Sequence, residues 1–405
     1  MNPEPGTDGR PAPAPNGHYE SMVASDGIVY VGSDNGSLYA LNGSDGRVLW
    51  QYMANAPVSV VAVVDGAVYA YADNPNSAVA FALNAGSGNV VWRYQVSDFV
   101  SKAMVVDKMV YLGTAATANQ PVLYALQTSR GALAWRYAAH AITPGLLAVS
   151  DGVVYYAEIS GIGTAFTENI TALGAGDGRA LWRLRTQSAD GYAYAVSAVV
   201  NGAVYISTNT GAVSAARASD GTLLWHSARA SIFPGVPSAA TPLVADGMVY
   251  VTGKQNFASR SQGLDALRAS DGKQLWTQAI DGGPGPQVGQ PQLVDGVLYY
   301  SGSSGVIALR ASDGARLWVY SGDTPAGPFF VSDGRVYANS AGGLFVLNAS
   351  TGALLWKQTI PNHGDLSSFS TPLLVDGGIV YESSDDGVVQ AYNAGGGQLL
   401  WRYAI

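Results

Sequence analysis

The chain has 405 residues, 48% of them hydrophobic and 12% charged, with fifty glycines, twenty-three tyrosines and no cysteine. That balance favours turn-rich β structure and excludes disulfides, thiolate metal sites and thiol nucleophiles. A formal net charge of −8 with sparse Lys and Arg argues against nucleic acid, which is held by clustered cations.

Residues 1–17, MNPEPGTDGRPAPAPNG, are rich in Pro and Gly and read as a tail, with 18–405 as one repetitive domain. Met1 is not followed by the basic-then-apolar order of a secretion signal, and no apolar run approaches the ~20 residues that span a bilayer. From there one unit recurs nine times. Each copy opens with Asp or Asn, usually Gly, any residue, an aliphatic and Tyr, as in Asp26-Gly27-Ile28-Val29-Tyr30. The tyrosines are Tyr30, Tyr69, Tyr111, Tyr155, Tyr205, Tyr250, Tyr299, Tyr337 and Tyr381. Asp-Gly between β-branched runs signals a tight hairpin, because both turn residues need positive φ. Lys108 replaces the glycine in the third copy, and Gly378 is an extra glycine in the ninth.

Each copy closes on a glycine followed four residues later by a tryptophan, as in ALNGSDGRVLW and ALRASDGKQLW. The tryptophans are Trp50, Trp92, Trp135, Trp182, Trp225, Trp276, Trp318, Trp356 and Trp401, and the copies end near 52, 94, 137, 184, 227, 278, 320, 358 and 405. The copy from Thr371 divides into four short strands, TPLLV, IVYES, VVQAYN and QLLWRY, of period-two pattern. A twisted four-stranded sheet cannot bury both its apolar faces alone, so nine in tandem must stack, and a ring removes the exposed ends. The expectation is all-β: a single β-propeller of nine four-stranded antiparallel blades, closed by packing of the last blade on the first.

These strings resemble the quinoprotein-like (PQQ-like) propellers, whose Trp-docking motif runs Ala, a variable stretch, Gly, then Trp four residues on; the match extends from about Ser21 to the last residue. The resemblance implies that each Trp docks on its neighbour's backbone and locks the ring, a role falling to all nine tryptophans. It also implies eight blades as the usual number, so the alternative is eight regular blades with one distorted or splayed repeat. The short copy ending at Trp356 and the extra Gly378 place such an irregularity in the last two blades. The family includes quinone-dependent dehydrogenases and non-catalytic scaffolds such as outer-membrane assembly lipoproteins. A dehydrogenase of this kind implies a Trp floor under the quinone, adjacent cysteines, calcium ligands and a catalytic Asp. No cysteine exists and every tryptophan lies in the repeat motif, so no catalytic residue, metal site or cofactor is assigned. PQQ with calcium enters only under the alternative reading of a PQQ-dependent dehydrogenase.

Most aspartates fall in turns, where Asp bonds nearby amides. His18, His140, His226 and His363 are scattered without metal-ligand spacing. Length varies elsewhere: Ala72 to Ser77, Thr114 to Pro121, Ile159 to Ile170 and Lys254 to Gln262 between strands two and three, and Ala228 to Ser238 and Asp281 to Val288 between blades. In an up-and-down blade these connections emerge on one face of the disc, and variable loops on a rigid scaffold are where binding resides. The reading is a non-catalytic extracytoplasmic scaffold, monomeric, engaging a protein, peptide or glycan through that face. The candidate contacts are Phe166, Tyr192, Tyr194, Phe233, Phe257 and Arg260.

Overall fold

The computed structural model describes residues 19–74, 77–114, 120–139, 143–162, 165–186, 193–208, 212–227, 242–256, 261–280, 291–302, 305–323, 325–340, 342–359, 373–384 and 387–404. The Asp-Gly pairs turn as their chemistry requires: Asp26 and Gly27 have φ of 53° and 73°, and Asp107 and Lys108 hold the same geometry at 48° and 62°. In the last copy the turn positions are Gly377 and Gly378, at 55° and 79°, while Asp376 ends the preceding strand. The extra glycine therefore replaces the turn aspartate and lengthens nothing.

Each copy folds into a four-stranded antiparallel meander, giving nine blades at 19–53, 58–96, 100–138, 143–186, 193–227, 243–280, 292–320, 325–358 and 373–404. Both of the last two blades keep all four strands in sequential order, so neither is splayed; the irregularity found there is a register shift between Pro325 and Phe329 in the first strand of blade eight. First strands of neighbouring blades lie against one another, that of blade nine (Leu373–Asp376) meeting that of blade one (Tyr19–Ser25), so they line the axis.

The period-two pattern holds on the outer strand alone. Tyr30 to Ser33 on the second strand and Ser37 to Leu41 on the third are buried without interruption, since each sheet is covered on both faces. Nine separate apolar clusters fill the nine interfaces, and one of them joins Val29, Tyr39 and Leu41 of blade one to Tyr381, Val389 and Trp401 of blade nine. In every blade the residue before the Trp falls at a β-bulge in the outer strand. Leu49 is thereby turned outward, and the bulge twists the free edge away from edge-to-edge pairing.

Each indole reaches across its interface. Trp50 Nε1 donates to the Ala85 carbonyl of the next blade at 2.9 Å, and the same bond recurs at every interface within 2.7–3.1 Å. The last of these runs from Trp401 to the Gly43 carbonyl at 2.8 Å, 358 positions away, and closes the ring. At several interfaces the repeat tyrosine supports the same carbonyl, Tyr30 Oη donating to Ala85 at 3.2 Å and Tyr381 Oη to Gly43 at 3.3 Å, whereas the buried Tyr111 hydroxyl has no such partner among the described residues. The indole lies flat on the glycine of the neighbouring turn, so a Cβ on Gly88 would sit 2.7 Å from Trp50. With φ of 70° as well, Gly88 is required twice over.

Candidate binding face

An up-and-down blade sends its strand two–three turn and its exit to the next blade out of the same face. In blades two, four and six the insertions between strands two and three extend the hairpins, while most of Thr114 to Pro121 and the whole of Ala228 to Ser238 and Asp281 to Val288 lie outside the described residues. In blade one the pairing runs from Ile28↔Asn42 to Gly32↔Leu38, whereas in blade four it continues from Val153↔Gly174 to Ile162↔Ala165. Five further pairs at ~3.3 Å each carry that hairpin roughly 16 Å beyond its neighbours. Blade two pairs as far as Asn74↔Ser77 and blade six as far as Asn256↔Ser261. The opposite face is uniform. Each strand three–four turn closes with the same two backbone bonds, as in Asn42 N to Arg47 O and Gly46 N to Asn42 O, both 2.8 Å.

Of the residues expected to bind, Phe166 lies on the projecting hairpin of blade four, opposite Gly161. Tyr194 lies in the axis-lining first strand of blade five, at a register shift between Ala193 and Ala195. Tyr192, Phe233, Phe257 and Arg260 lie outside the described residues. Phe166 and Tyr194 thus occupy different strands of different blades.

What the sequence reading missed is a second aromatic layer, two residues after the Trp and toward the variable face. Tyr52 packs on Phe81 with centroids 5.0 Å apart, Tyr94 on Tyr124 at 6.0 Å, Tyr137 on Tyr156 at 6.1 Å, Tyr320 on Phe345 at 5.3 Å and Tyr403 on Tyr39 at 6.1 Å. The signal was available as Trp-x-Tyr in five copies, with Leu184, Ser227, Gln278 and Gln358 at that position in the others. A polar group covers several of these pairs. Between blades three and four, Tyr137 Oη donates to Glu158 Oε1 and Thr171 Oγ1 to Glu158 Oε2, both at 2.9 Å, while Arg183 donates to Tyr137 Oη at 2.9 Å. Burial, then the Glu158 hydrogen bond, raises the Tyr137 hydroxyl, and burial raises Tyr156 further. Between blades seven and eight, Lys357 pairs with Asp323 at 2.6 Å and Tyr320 donates to the same carboxylate at 3.0 Å. Burial and that carboxylate push Tyr320 up to about 12.

Between blades one and two the arrangement stays open. A cleft of about 350 Å³ is lined by Tyr52, Met53, Ala54 and Asn55 on one side and by Ala72, Val79, Phe81, Arg93, Tyr94 and Gln95 on the other. The Arg93 guanidinium sits 5.4 Å above the Tyr52 ring.

The family whose sequence model matches the chain is described as outer membrane protein assembly factor BamB, over residues 10–116, 75–167, 112–256, 166–327 and 321–404. Among solved structures the chain is similar to BamB from Moraxella catarrhalis, at 21% identity, 76% of this chain, 91% of that chain and a TM-score of 0.54. It is similar to the quinohemoprotein alcohol dehydrogenase from Comamonas testosteroni at 14% identity, 84% and 74% coverage and a TM-score of 0.55. Saccharomyces cerevisiae Sqt1 matches at 12% identity, 94% and 97% coverage and a TM-score of 0.58. At such identities these structures speak for the fold alone. No curated protein matches the chain.

Proposed function

The chain belongs to the family described as outer membrane protein assembly factor BamB, and on that premise we propose that it is an extracytoplasmic, non-catalytic scaffold that holds a partner on its hairpin-bearing face. The observation that carries the reading is the contrast between the two faces. One ends in nine turns closed by the same two backbone bonds, while the other carries hairpins of unequal reach. A ring joined at every interface by the same indole bond is a rigid base for such elements. A protein partner fits the family best; a peptide or glycan is the narrower form.

The quinoprotein alternative asks for a site these residues do not fit. All nine indoles are engaged at blade interfaces, which leaves none to floor a quinone. The chain has no cysteine, and no group of three or more His, Asp or Glu converges as metal ligands among the described residues.

A photo-crosslinking residue at Thr167, on the blade-four hairpin, should yield partner adducts in whole cells, and one at Ser44, in the uniform turns, should not. Equal yields from the two positions would remove the proposal.

A further inference from the structure

We infer that the cleft between blades one and two is a peptide site that reads a carboxylate next to an apolar side chain. The inference deepens the scaffold reading by naming the partner's chemistry at one place. Arg93 is the key group. Its repeat equivalent Arg183 donates to Tyr137, and Lys357 is neutralised by Asp323. Arg93 meets no carboxylate among the described residues and lies instead over the face of Tyr52. A guanidinium over a ring face is favoured by the ring's quadrupole, and its N–H donors remain available for a two-point bond to a carboxylate. Arg136 also lacks a described ion pair and lies near enough to Tyr94 to act on its hydroxyl, but it is not part of the cleft lining.

The walls supply the apolar half of the recognition. Met53 is 64% exposed, the most exposed large hydrophobic side chain described. A thioether at such a position is an adaptable contact for varied side chains. Phe81 and Tyr94 form the facing wall, and a volume of about 350 Å³ suits a short segment. The fourth strand of blade one (Val48–Met53) borders the cleft through the side chains of Tyr52 and Met53, its bulged edge being turned away from strand pairing. The acidic choice follows from charge: the chain as a whole carries −8, so an anion is repelled from most of the surface and attracted here.

The test is fluorescence anisotropy with labelled, otherwise neutral short peptides carrying a central Leu-Asp-Phe or its isostere Leu-Asn-Phe. The acid should bind at least about tenfold more tightly than the amide, as expected for hydrogen bonds to a charged group. Arg93→Gln should erase that ratio, and Arg136→Gln, an equal change of charge one blade on, should leave it intact. Met53→Ser should weaken both peptides alike. All three side chains concerned lie at the surface or rim, and matching thermal melts verify folding. Equal binding of acid and amide, equal loss with Arg136→Gln, or no binding of either peptide overturns the site. The scaffold reading is tested separately: crosslinks from Thr167 with no peptide binding leave it standing without this cleft, and an Arg93-dependent ratio with equal crosslinks from Thr167 and Ser44 does the reverse.

Discussion

The arc running from blade nine through blade four and the arc running from blade four to blade seven are built on the same first layer and differ in the side chains placed around it. Every interface carries the indole bond and the repeat tyrosine, as at Tyr30–Trp50 with centroids 5.8 Å apart and Tyr250–Trp276 at 6.0 Å. In the first arc all four interfaces add an aromatic pair, from Tyr403–Tyr39 to Tyr137–Tyr156. In the second that position holds Leu184, Ser227 and Gln278. The turns diverge as well. Asn42 and Asn84 accept bonds from Ser44 and Ser87 amides at 2.9 and 3.0 Å, whereas blades five to seven use Arg217–Asp220, Arg268–Asp271 and Arg310–Asp313 pairs, each at 2.8 Å. The turn backbone is the same in both arcs, so the difference teaches that ring geometry is held by the first layer and that the rest sets how firmly each interface is kept.

The largest test removes the first layer. Trp92→Ala and Trp225→Ala should each destabilise the fold by about 3–5 kcal/mol in chemical denaturation. Hydrogen exchange should then show opening confined to the interface for Trp92→Ala, where Tyr94 and Tyr124 remain, and spreading through blades five and six for Trp225→Ala. Identical exchange patterns would break the comparison. Next, Gly66→Ala meets nothing within 4 Å and bears only the cost of φ at 72°, about 1–2 kcal/mol. Gly88→Ala also drives a Cβ into Trp50 and should cost about 1–3 kcal/mol more, and Gly272→Ala in the other arc should match it.

A smaller effect is expected from Tyr94→Gln, which gives the blade two–three interface the residue found at Gln278. The loss should be about 1–2 kcal/mol, with exchange rates there approaching those of blades six and seven. The smallest difference between the arcs concerns pH. Burial pushes Tyr250, in the second arc, and Tyr381, at the ring closure, up to about 12 from an ordinary 10.0. The folded state therefore binds the phenolic proton more tightly than the unfolded state. Their contribution is complete below pH 10 and is lost as pH rises toward 12. Phenolate absorption and melting temperature followed together should show that loss equally in both arcs.

Much of this was legible because its causes are short-range. Asp26-Gly27 and its counterparts dictate a hairpin through their own φ values, and the Gly-to-Trp spacing repeats often enough to number the blades. The misreadings have the same origin. Gly378 looks like an insertion until Asp376 is seen to belong to the strand. The segment Ile159 to Ile170 has no regular alternation, so only its cross-strand partners reveal it as a long hairpin. Tyr52 was visible as part of Trp-x-Tyr, but its packing against Phe81 and the Arg93 guanidinium above it lie across a blade boundary.

By itself the sequence determined the all-β class, the count of nine and the conformation of each tight turn, because sterics and hydrogen bonding within a few residues decide those. The tertiary structure decided which carbonyl each indole meets, the joining of Trp401 to Gly43, and the opening left between Met53 and Arg93 where Ala72 and Val79 fill little space. These depend on where a neighbouring blade's backbone comes to rest, tens to hundreds of residues away in the chain, and only packing of whole sheets sets that position.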